Sequence, residues 1–225
     1  PFPVLLGHES GGTVVEVGSK VRKFRVGQRV TRPVSSFRSN PELPNPAFGG
    51  FSEYRIVRDA EAMAADGDDT FLTDYNAIRQ SVVDAGVDPV RAALCISLAE
   101  TSGTLINMPA VRGKTVVVAG TGIAGLGFTL WAALAGASVI TLGRRRERLD
   151  LAQRVGAFGA VDTRDEDFVG LIRDLAPNGV DGVIDATGDV GLAAKLDALI
   201  GENSFAVAYG VGSLNDEYPR PWVRA

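Results

Sequence analysis

A glycine-rich hexapeptide, Gly120-Thr121-Gly122-Ile123-Ala124-Gly125, is the segment whose spacing points most directly to chemistry. It fits the pattern G-x-G-x-x-G and stands between an apolar run and a helical one, the context in which that pattern is informative. There Gly120 permits a tight turn, Gly122 lets backbone approach a pyrophosphate, and Gly125 lets helix and strand pack. The helix that follows offers free N–H groups and a partial positive charge. All six residues are therefore predicted to bind a dinucleotide; the alternative is a plain strand–helix connection in another α/β protein.

Cationic residues follow the next apolar run, where dinucleotide-binding proteins recognise the ribose. Gly143 comes 23 residues after Gly120, and Arg144 and Arg145 follow it. An NAD-binding protein usually has Asp or Glu near this position. A glycine leaves room for a 2′-phosphate, which guanidinium groups can hold by forked, charge-assisted hydrogen bonds. The alternative is a solvated cationic face. Cations at the start of a helix interact unfavourably with its dipole, which costs ~0.3–1 kcal/mol for each charge. The sequence thus favours NADP over NAD.

Three further residues could bind a metal or act in catalysis. His8 is the single histidine and is followed by Glu9. One histidine beside a strand is more often hydrogen-bonded than a metal ligand, and no zinc-finger spacing is present. Glu100 stands in an apolar helical run, where a carboxylate must be solvated, paired or metal-bound, because burial alone is costly. Cys95 is a weaker candidate ligand and is expected in the core. A serine or cysteine nucleophile acting with His8 stays open, although G-x-S-x-G is absent.

Strands and helices alternate from residue 114 onward. The predicted strands are 114–120, 137–142, 159–161, 181–186 and 204–209, and the predicted helices are 122–136, 146–156, 165–176 and 190–200. Unbroken apolar strands that alternate with helices indicate a parallel sheet covered on both faces. Thr187 and Gly188 follow one of these strands, at the edge where open α/β sheets bind ligands. We include both in the predicted cofactor site; an ordinary turn is the alternative.

The first part of the chain is predicted to be β-rich. Short strands are expected at 12–18, 26–32 and 52–58, a loop at 33–50 and a short helix at 74–85. Three strands are too few to close a barrel. Asp88-Pro89 is a good helix start, and the apolar run that follows predicts a mostly buried helix. The expected domains are 1–88, a connecting helix at 89–109, and 110–225.

Composition limits the class of protein. The chain has 225 residues, 45% of them hydrophobic, and a formal net charge of −4. This is enough for two small domains and argues against nucleic acid as the main partner. No apolar run approaches the ~20 residues needed to span a bilayer. A single cysteine excludes an internal disulfide and fits a reducing cytoplasm. Neither end reads as a natural terminus, so we expect a fragment.

Five segments resemble the medium-chain dehydrogenase/reductase superfamily, specifically its zinc-dependent alcohol and polyol dehydrogenases. PFPVLLGHESGGTVVEVGSKVRKFRVGQRV is similar to the zinc signature of that family, and GGFSEYRIV to its next barrel strand. VVVAGTGIAGLG, GASVITLGRRRERLDLAQRVGA and VDGVIDATG resemble three successive blocks of its coenzyme domain. The resemblance implies an α/β fold, a Rossmann-type doubly wound parallel sheet preceded by part of a GroES-like β-barrel domain. The last strand of the coenzyme domain would then follow Ala225.

The same resemblance implies a metal site. His8 would be a ligand of one catalytic zinc, and Glu9 the adjoining carboxylate that coordinates or approaches it. Glu100 matches an acidic ligand position of the polyol-dehydrogenase-like members, although Thr101 stands where Pro is usual. In the family the remaining ligand, a cysteine, lies upstream of the position of Pro1. Loop 33–50 stands in place of the four-cysteine structural-zinc lobe.

Our leading hypothesis is a zinc-dependent, NADP-preferring dehydrogenase that acts on a small alcohol or polyol, or on the corresponding carbonyl compound. A dimer or tetramer is usual in the family. One alternative is a zinc-free quinone or enoyl reductase of the same superfamily, which the His8-Glu9 pair disfavours. Another is a non-catalytic nucleotide-binding module.

Overall fold

The chain divides into two units, residues 1–97 and 98–225. The structure, a computed structural model, describes residues 7–33, 50–69, 79–210, 218 and 222–224. The division falls within a long helix, α2 (Pro89–Ile106). Asp88 begins α2 as predicted, because its Oδ1 accepts the N–H groups of Val90 and Arg91.

The first unit contains a three-stranded antiparallel sheet in the order β1–β2–β3. The strands are β1 (Gly11–Thr13), β2 (Arg29–Thr31) and β3 (Val82–Val83). Val30 is the central residue, since it lies opposite Gly12 on one side and Val82 on the other. Val30 also packs with Val14 and Phe24 in a small buried core. The strands predicted at 12–18 and 26–32 are therefore present, but shorter.

Two predictions for the first unit are wrong. The segment 52–58 forms no strand, apart from a single bridging residue at Ile56. Buried Gln80 takes the place of a neighbouring strand there, because its amide accepts from Arg58 N–H and donates to the Ile56 carbonyl. The helix predicted at 74–85 is contradicted by β3, while residues 74–78 lie outside the described part of the chain, as does most of loop 33–50.

Asp59 joins two segments of the first unit. Its Oδ1 caps the short helix α1 (Ala60–Ala65), and its Oδ2 accepts the N–H groups of Arg22 and Lys23 at 2.6 and 2.8 Å. Burial raises the pKa of this carboxyl, but the backbone hydrogen bonds outweigh burial, so the pKa of Asp59 lies below its ordinary value. The fold therefore stabilises the ionised form of the Asp59 carboxyl.

The second unit is built on a six-stranded sheet in the order β6–β5–β4–β7–β8–β9, and every neighbouring pair is parallel. The strands are β4 (Thr115–Ala119), β5 (Ser138–Gly143), β6 (Gly159–Asp162), β7 (Val180–Asp185), β8 (Ile200–Ala208) and β9 (Val223–Arg224). The helices are α3 (Ile123–Leu134), α4 (Arg146–Arg154), α5 (Phe168–Leu175) and α6 (Val190–Leu196), with a 3-10 turn at Asp197–Leu199. The alternation of strands and helices predicted a parallel sheet, and this strand order is the doubly wound Rossmann order that the family resemblance implied.

Helices cover both faces of this sheet, which explains the unbroken apolar strands. Val117 and Ile140 face a core that includes Ile172 of α5 and Leu196 of α6. Val116 and Val139 face the opposite core, which includes Phe128 of α3. Since successive strand residues point to opposite faces, both odd and even positions must be apolar.

The sheet has one strand more than the five that the sequence predicted, namely β9. Two smaller expectations are corrected. Cys95 is exposed rather than a core residue. Helix α2 is only partly buried, since Ile96 and Thr101 are buried while Leu94 and Ile106 are exposed. In the described ranges, no helix has the length and apolar character needed to cross a membrane.

Candidate functional site

A cavity of about 850 Å³ opens at the carboxyl ends of the central strands of the second unit. Seven of the eleven residues predicted to bind a cofactor line it: Gly120, Thr121, Gly122, Gly143, Arg144, Arg145 and Thr187. The other four, Ile123, Ala124, Gly125 and Gly188, are not among its lining residues. The structure thus joins three separate sequence motifs in one cavity, at the edge where open α/β sheets bind ligands.

The glycine turn connects β4 to α3 by a close backbone approach. Gly120 has a φ of +115°, in the region that favours glycine. A Cβ added at Gly125 would overlap the carbonyl group of Gly120, so no larger residue fits there without a shift of backbone. A Cβ at Gly122 would meet nothing within 4 Å. Gly122 is also the N-cap of α3 and provides no side-chain acceptor, so the first-turn N–H groups are available to a ligand.

The space beside Gly143 is occupied by Thr121. A Cβ added at Gly143 would lie 2.6 Å from Thr121 Cγ2 and 2.7 Å from its Oγ1. Both residues are buried. The missing side chain at position 143 therefore serves packing between the glycine turn and β5. Thr121 fills the room that the sequence assigned to a ligand at this position, although Gly143 itself lines the cavity.

The three consecutive arginines have different surroundings. Arg144 and Arg145 are exposed and line the cavity. Within the described part of the chain, neither guanidinium forms an ion pair. Arg146 instead pairs along α4 with Asp150, at 2.9 Å between Nε and Oδ1, and is not a lining residue. Two cations are thus left facing the cavity, beside the end of β5.

A carboxylate next to these arginines is already paired with a different arginine. Asp162 lies opposite Gly143 in the β5–β6 ladder. The side chain of Arg164 binds it, with Nη2 at 2.6 Å and Nε at 3.0 Å from its oxygens. These hydrogen bonds, together with the Arg164 backbone N–H and charge, lower the pKa of Asp162 to about 2. Asp162 is therefore ionised at neutral pH, and its paired charge only weakly opposes an anion in the cavity.

The turn after β7 is held by a fully buried carboxylate. Asp185 Oδ1 accepts from the N–H and hydroxyl of Thr187 at 2.8 and 2.5 Å. Its Oδ2 accepts from Gly188 N–H at 3.1 Å and from the Tyr218 hydroxyl at 2.6 Å. The Thr187 hydroxyl also accepts from Asp189 N–H at 3.1 Å. The Asp185 carboxylate and the Thr187 hydroxyl therefore hold the shape of the turn. Thr187 lines the cavity, but its hydroxyl is used by the turn and not by a ligand.

The other described lining residues were not predicted to bind a cofactor, namely Leu142, Thr163, Phe168, Ala186, Asp189, Gly191, Leu192 and Lys195. Thr163 directly follows β6, so the rule that ligands lie beyond carboxyl strand ends could have found it. Phe168, Leu192 and Lys195 belong to helices that pack beside the cavity. No motif marks them, because their position depends on how α5 and α6 sit on the sheet.

The predicted metal ligands are divided between the two units. In the first unit His8 is half-buried, and the carboxylate of exposed Glu9 accepts a hydrogen bond from the Ser97 hydroxyl. In the second unit Glu100 is half-buried on α2. Its neighbour Thr101 is fully buried against the Gly127 position of α3, which gives a packing role to the residue that replaces the usual Pro. Among the described residues, no group of three or more His, Cys, Asp or Glu side chains could hold a metal ion.

The strand order and the cavity define the second unit as a Rossmann-type domain, a class of fold that binds dinucleotides at this edge. Two families match separate parts of the chain. Residues 1–66 match the alcohol dehydrogenase GroES-like domain, and residues 122–218 match the zinc-binding dehydrogenase family. The chain belongs to the zinc-type medium-chain dehydrogenase/reductase family.

Individual relatives agree with this assignment. Sorbitol dehydrogenase of Halalkalibacterium halodurans is 31% identical over 210 residues, which cover 91% of this chain and 60% of the relative. NADP-dependent alcohol dehydrogenase C 1 of Mycolicibacterium smegmatis is 29% identical, covering 89% and 60%. A solved structure described as a zinc-binding dehydrogenase of Sinorhizobium meliloti, bound to NADP, is 28% identical with a TM-score of 0.72, covering 96% and 64%. The chain thus spans less than two thirds of the length of these relatives.

Proposed function

We propose that the whole protein is an NADP-linked dehydrogenase that oxidises a small alcohol or polyol, or reduces the corresponding carbonyl compound. The observation that carries the proposal is the cavity that combines the glycine turn at the start of α3 with Arg144 and Arg145, two cations beyond β5 that form no ion pair with a described residue. The relatives named sorbitol dehydrogenase and NADP-dependent alcohol dehydrogenase support the class of reaction.

The residues of the second unit would hold the coenzyme. A pyrophosphate placed against the start of α3 accepts from first-turn N–H groups and lies in the positive field of the helix. Gly122 permits this approach because it presents no side chain there. The phosphate on the adenine ribose would then face Arg144 and Arg145, whose forked donors suit a phosphate. Firm attachment of this half leaves the nicotinamide free to be aligned with substrate.

A catalytic zinc belongs to the proposal on the strength of the family, with His8, Glu9 and Glu100 as the candidate ligands. Zinc would supply Lewis acidity toward a substrate oxygen. The described residues do not by themselves make up a zinc site, and the Glu9 carboxylate is engaged by Ser97. We further propose a cytoplasmic dimer or tetramer, as is usual in the family.

The test is a steady-state assay of the whole protein with a panel of alcohols, polyols and ketones, using NADPH or NADP and NADH or NAD. We expect turnover, with a lower KM for NADP and NADPH than for NAD and NADH. Arg144→Ala and Arg145→Ala should each raise that KM, while Arg146→Ala, whose guanidinium is paired within α4, should leave it nearly unchanged. A strong preference for NADH that survives both substitutions would contradict the coenzyme assignment.

Metal content measured on the same active preparation separates the alternatives. About one zinc per subunit is expected for the proposed enzyme. Turnover of quinones or enoyl compounds without bound zinc would instead favour the metal-free reductases of the superfamily. Coenzyme binding without turnover of any compound would favour a binding module.

A further inference from the structure

Lys195 lines the cavity from a different element than the two arginines. It lies in the last turn of α6, whereas Arg144 and Arg145 follow β5. Its ammonium nitrogen is 5.9 Å from the centre of the Phe168 ring. Phe168 is buried and also lines the cavity. Because a cation is attracted to an aromatic face, this contact favours side-chain conformations that keep the charge at the cavity wall.

Among the described residues that line the cavity, the charged side chains do not balance. Three cations, Arg144, Arg145 and Lys195, stand there with one carboxylate, Asp189. The Asp189 carboxylate is used locally, because its Oδ1 accepts the Leu192 N–H in the first turn of α6. A pyrophosphate at the glycine turn needs only the backbone N–H groups of α3. The three cations therefore fit a second anionic group, and a phosphate monoester carries about two negative charges near neutral pH.

We propose that Lys195 is a specificity-determining residue for the coenzyme, binding the phosphate monoester on the adenine ribose together with Arg144 and Arg145. This inference rests on the proposed NADP-linked function. Cations on two walls of the cavity hold the phosphate from both sides. Without that phosphate, three like charges repel one another across a partly enclosed space, which adds discrimination against unphosphorylated nucleotides.

The experiment measures binding of adenosine 2′,5′-bisphosphate and adenosine 5′-monophosphate to the whole protein by calorimetry at low ionic strength. The variant Lys195→Met keeps an apolar stem and removes the charge, and Lys195→Arg restores a cation. Lys114→Met is a matched control, because Lys114 also places its ammonium 5.9 Å from an aromatic ring, that of Phe205, but at the opposite, amino-terminal end of β4.

We expect Lys195→Met to weaken binding of the bisphosphate about tenfold, as for the loss of one charge-assisted hydrogen bond, and to change binding of the monophosphate less than about twofold. Lys195→Arg should recover most of the loss, and Lys114→Met should change neither affinity. Equal weakening of both nucleotides, or no weakening, would overturn the role of Lys195. A wild-type protein that binds the bisphosphate no better than the monophosphate would overturn the NADP assignment itself, which distinguishes the two failures.

Discussion

Alanine substitutions at Gly122 and Gly125 add the same methyl group at two places in one turn, and the structure predicts opposite consequences. At Gly125 the methyl would overlap the carbonyl group of Gly120, which is backbone and cannot rotate away. Overpacking of this kind costs ~1–3 kcal/mol, occasionally more. Replacing a helical glycine by alanine recovers up to ~1 kcal/mol. Because the overlap is with backbone, the cost lies at the upper end of that range, and the net effect of Gly125→Ala is a destabilisation of about 2 kcal/mol.

At Gly122 the added methyl meets open space, and the backbone, with φ −73° and ψ −174°, is one that any residue adopts. The stability of Gly122→Ala should therefore stay within ~0.5 kcal/mol of the wild type. The methyl would, however, occupy the space through which a pyrophosphate approaches α3. Steric conflict of ~1–3 kcal/mol corresponds to a loss of coenzyme affinity of roughly 5- to 150-fold.

Thermal unfolding and coenzyme titration of the two variants separate these effects. For a chain of this size, 2 kcal/mol corresponds to a fall in Tm of roughly 4–8 °C, expected for Gly125→Ala alone. Wild-type coenzyme affinity in Gly122→Ala would show that the pyrophosphate does not lie against this turn. Wild-type stability in Gly125→Ala would show that α3 and the end of β4 are not in the close contact described.

Two further predictions concern buried carboxylates. Asp185→Asn offers one acceptor oxygen to four donors and should lower the free energy of urea unfolding by about 2 kcal/mol. Tyr218→Phe removes a single donor and should lower it by about half as much. Equal effects of the two substitutions would mean that the Thr187–Gly188 turn does not depend on Asp185. Asp59→Asn should cost ~1–3 kcal/mol at neutral pH. Because the folded pKa of Asp59 lies below its unfolded value, its contribution is present above that unfolded value and is lost as the pH falls through the folded one. The difference between wild type and variant should therefore shrink below about pH 4, and a difference that is independent of pH down to pH 2 would contradict this reasoning.

Local patterns were sufficient for the second unit. Each of its first five strands and its four helices was predicted within a few residues, because a parallel sheet covered on both faces requires apolar residues at every strand position. The first unit was predicted less well. Segment 52–58 alternates like a strand, yet two of its backbone groups, Arg58 N–H and the Ile56 carbonyl, bond to the side chain of Gln80. That partner lies 22 residues or more away, and no local pattern reveals it.

The amino-acid sequence by itself determined the glycine turn, the run of cations after β5 and the family to which the chain belongs, since these depend on residues that are neighbours in the chain. Only the tertiary structure decided that Arg144 and Arg145 face the cavity while Arg146 pairs with Asp150, and that Lys195 joins them from α6. It also decided that Thr187 serves the buried Asp185. The physical reason is that the direction of a side chain depends on helix phase and on packing between elements distant in sequence, which composition and spacing do not specify.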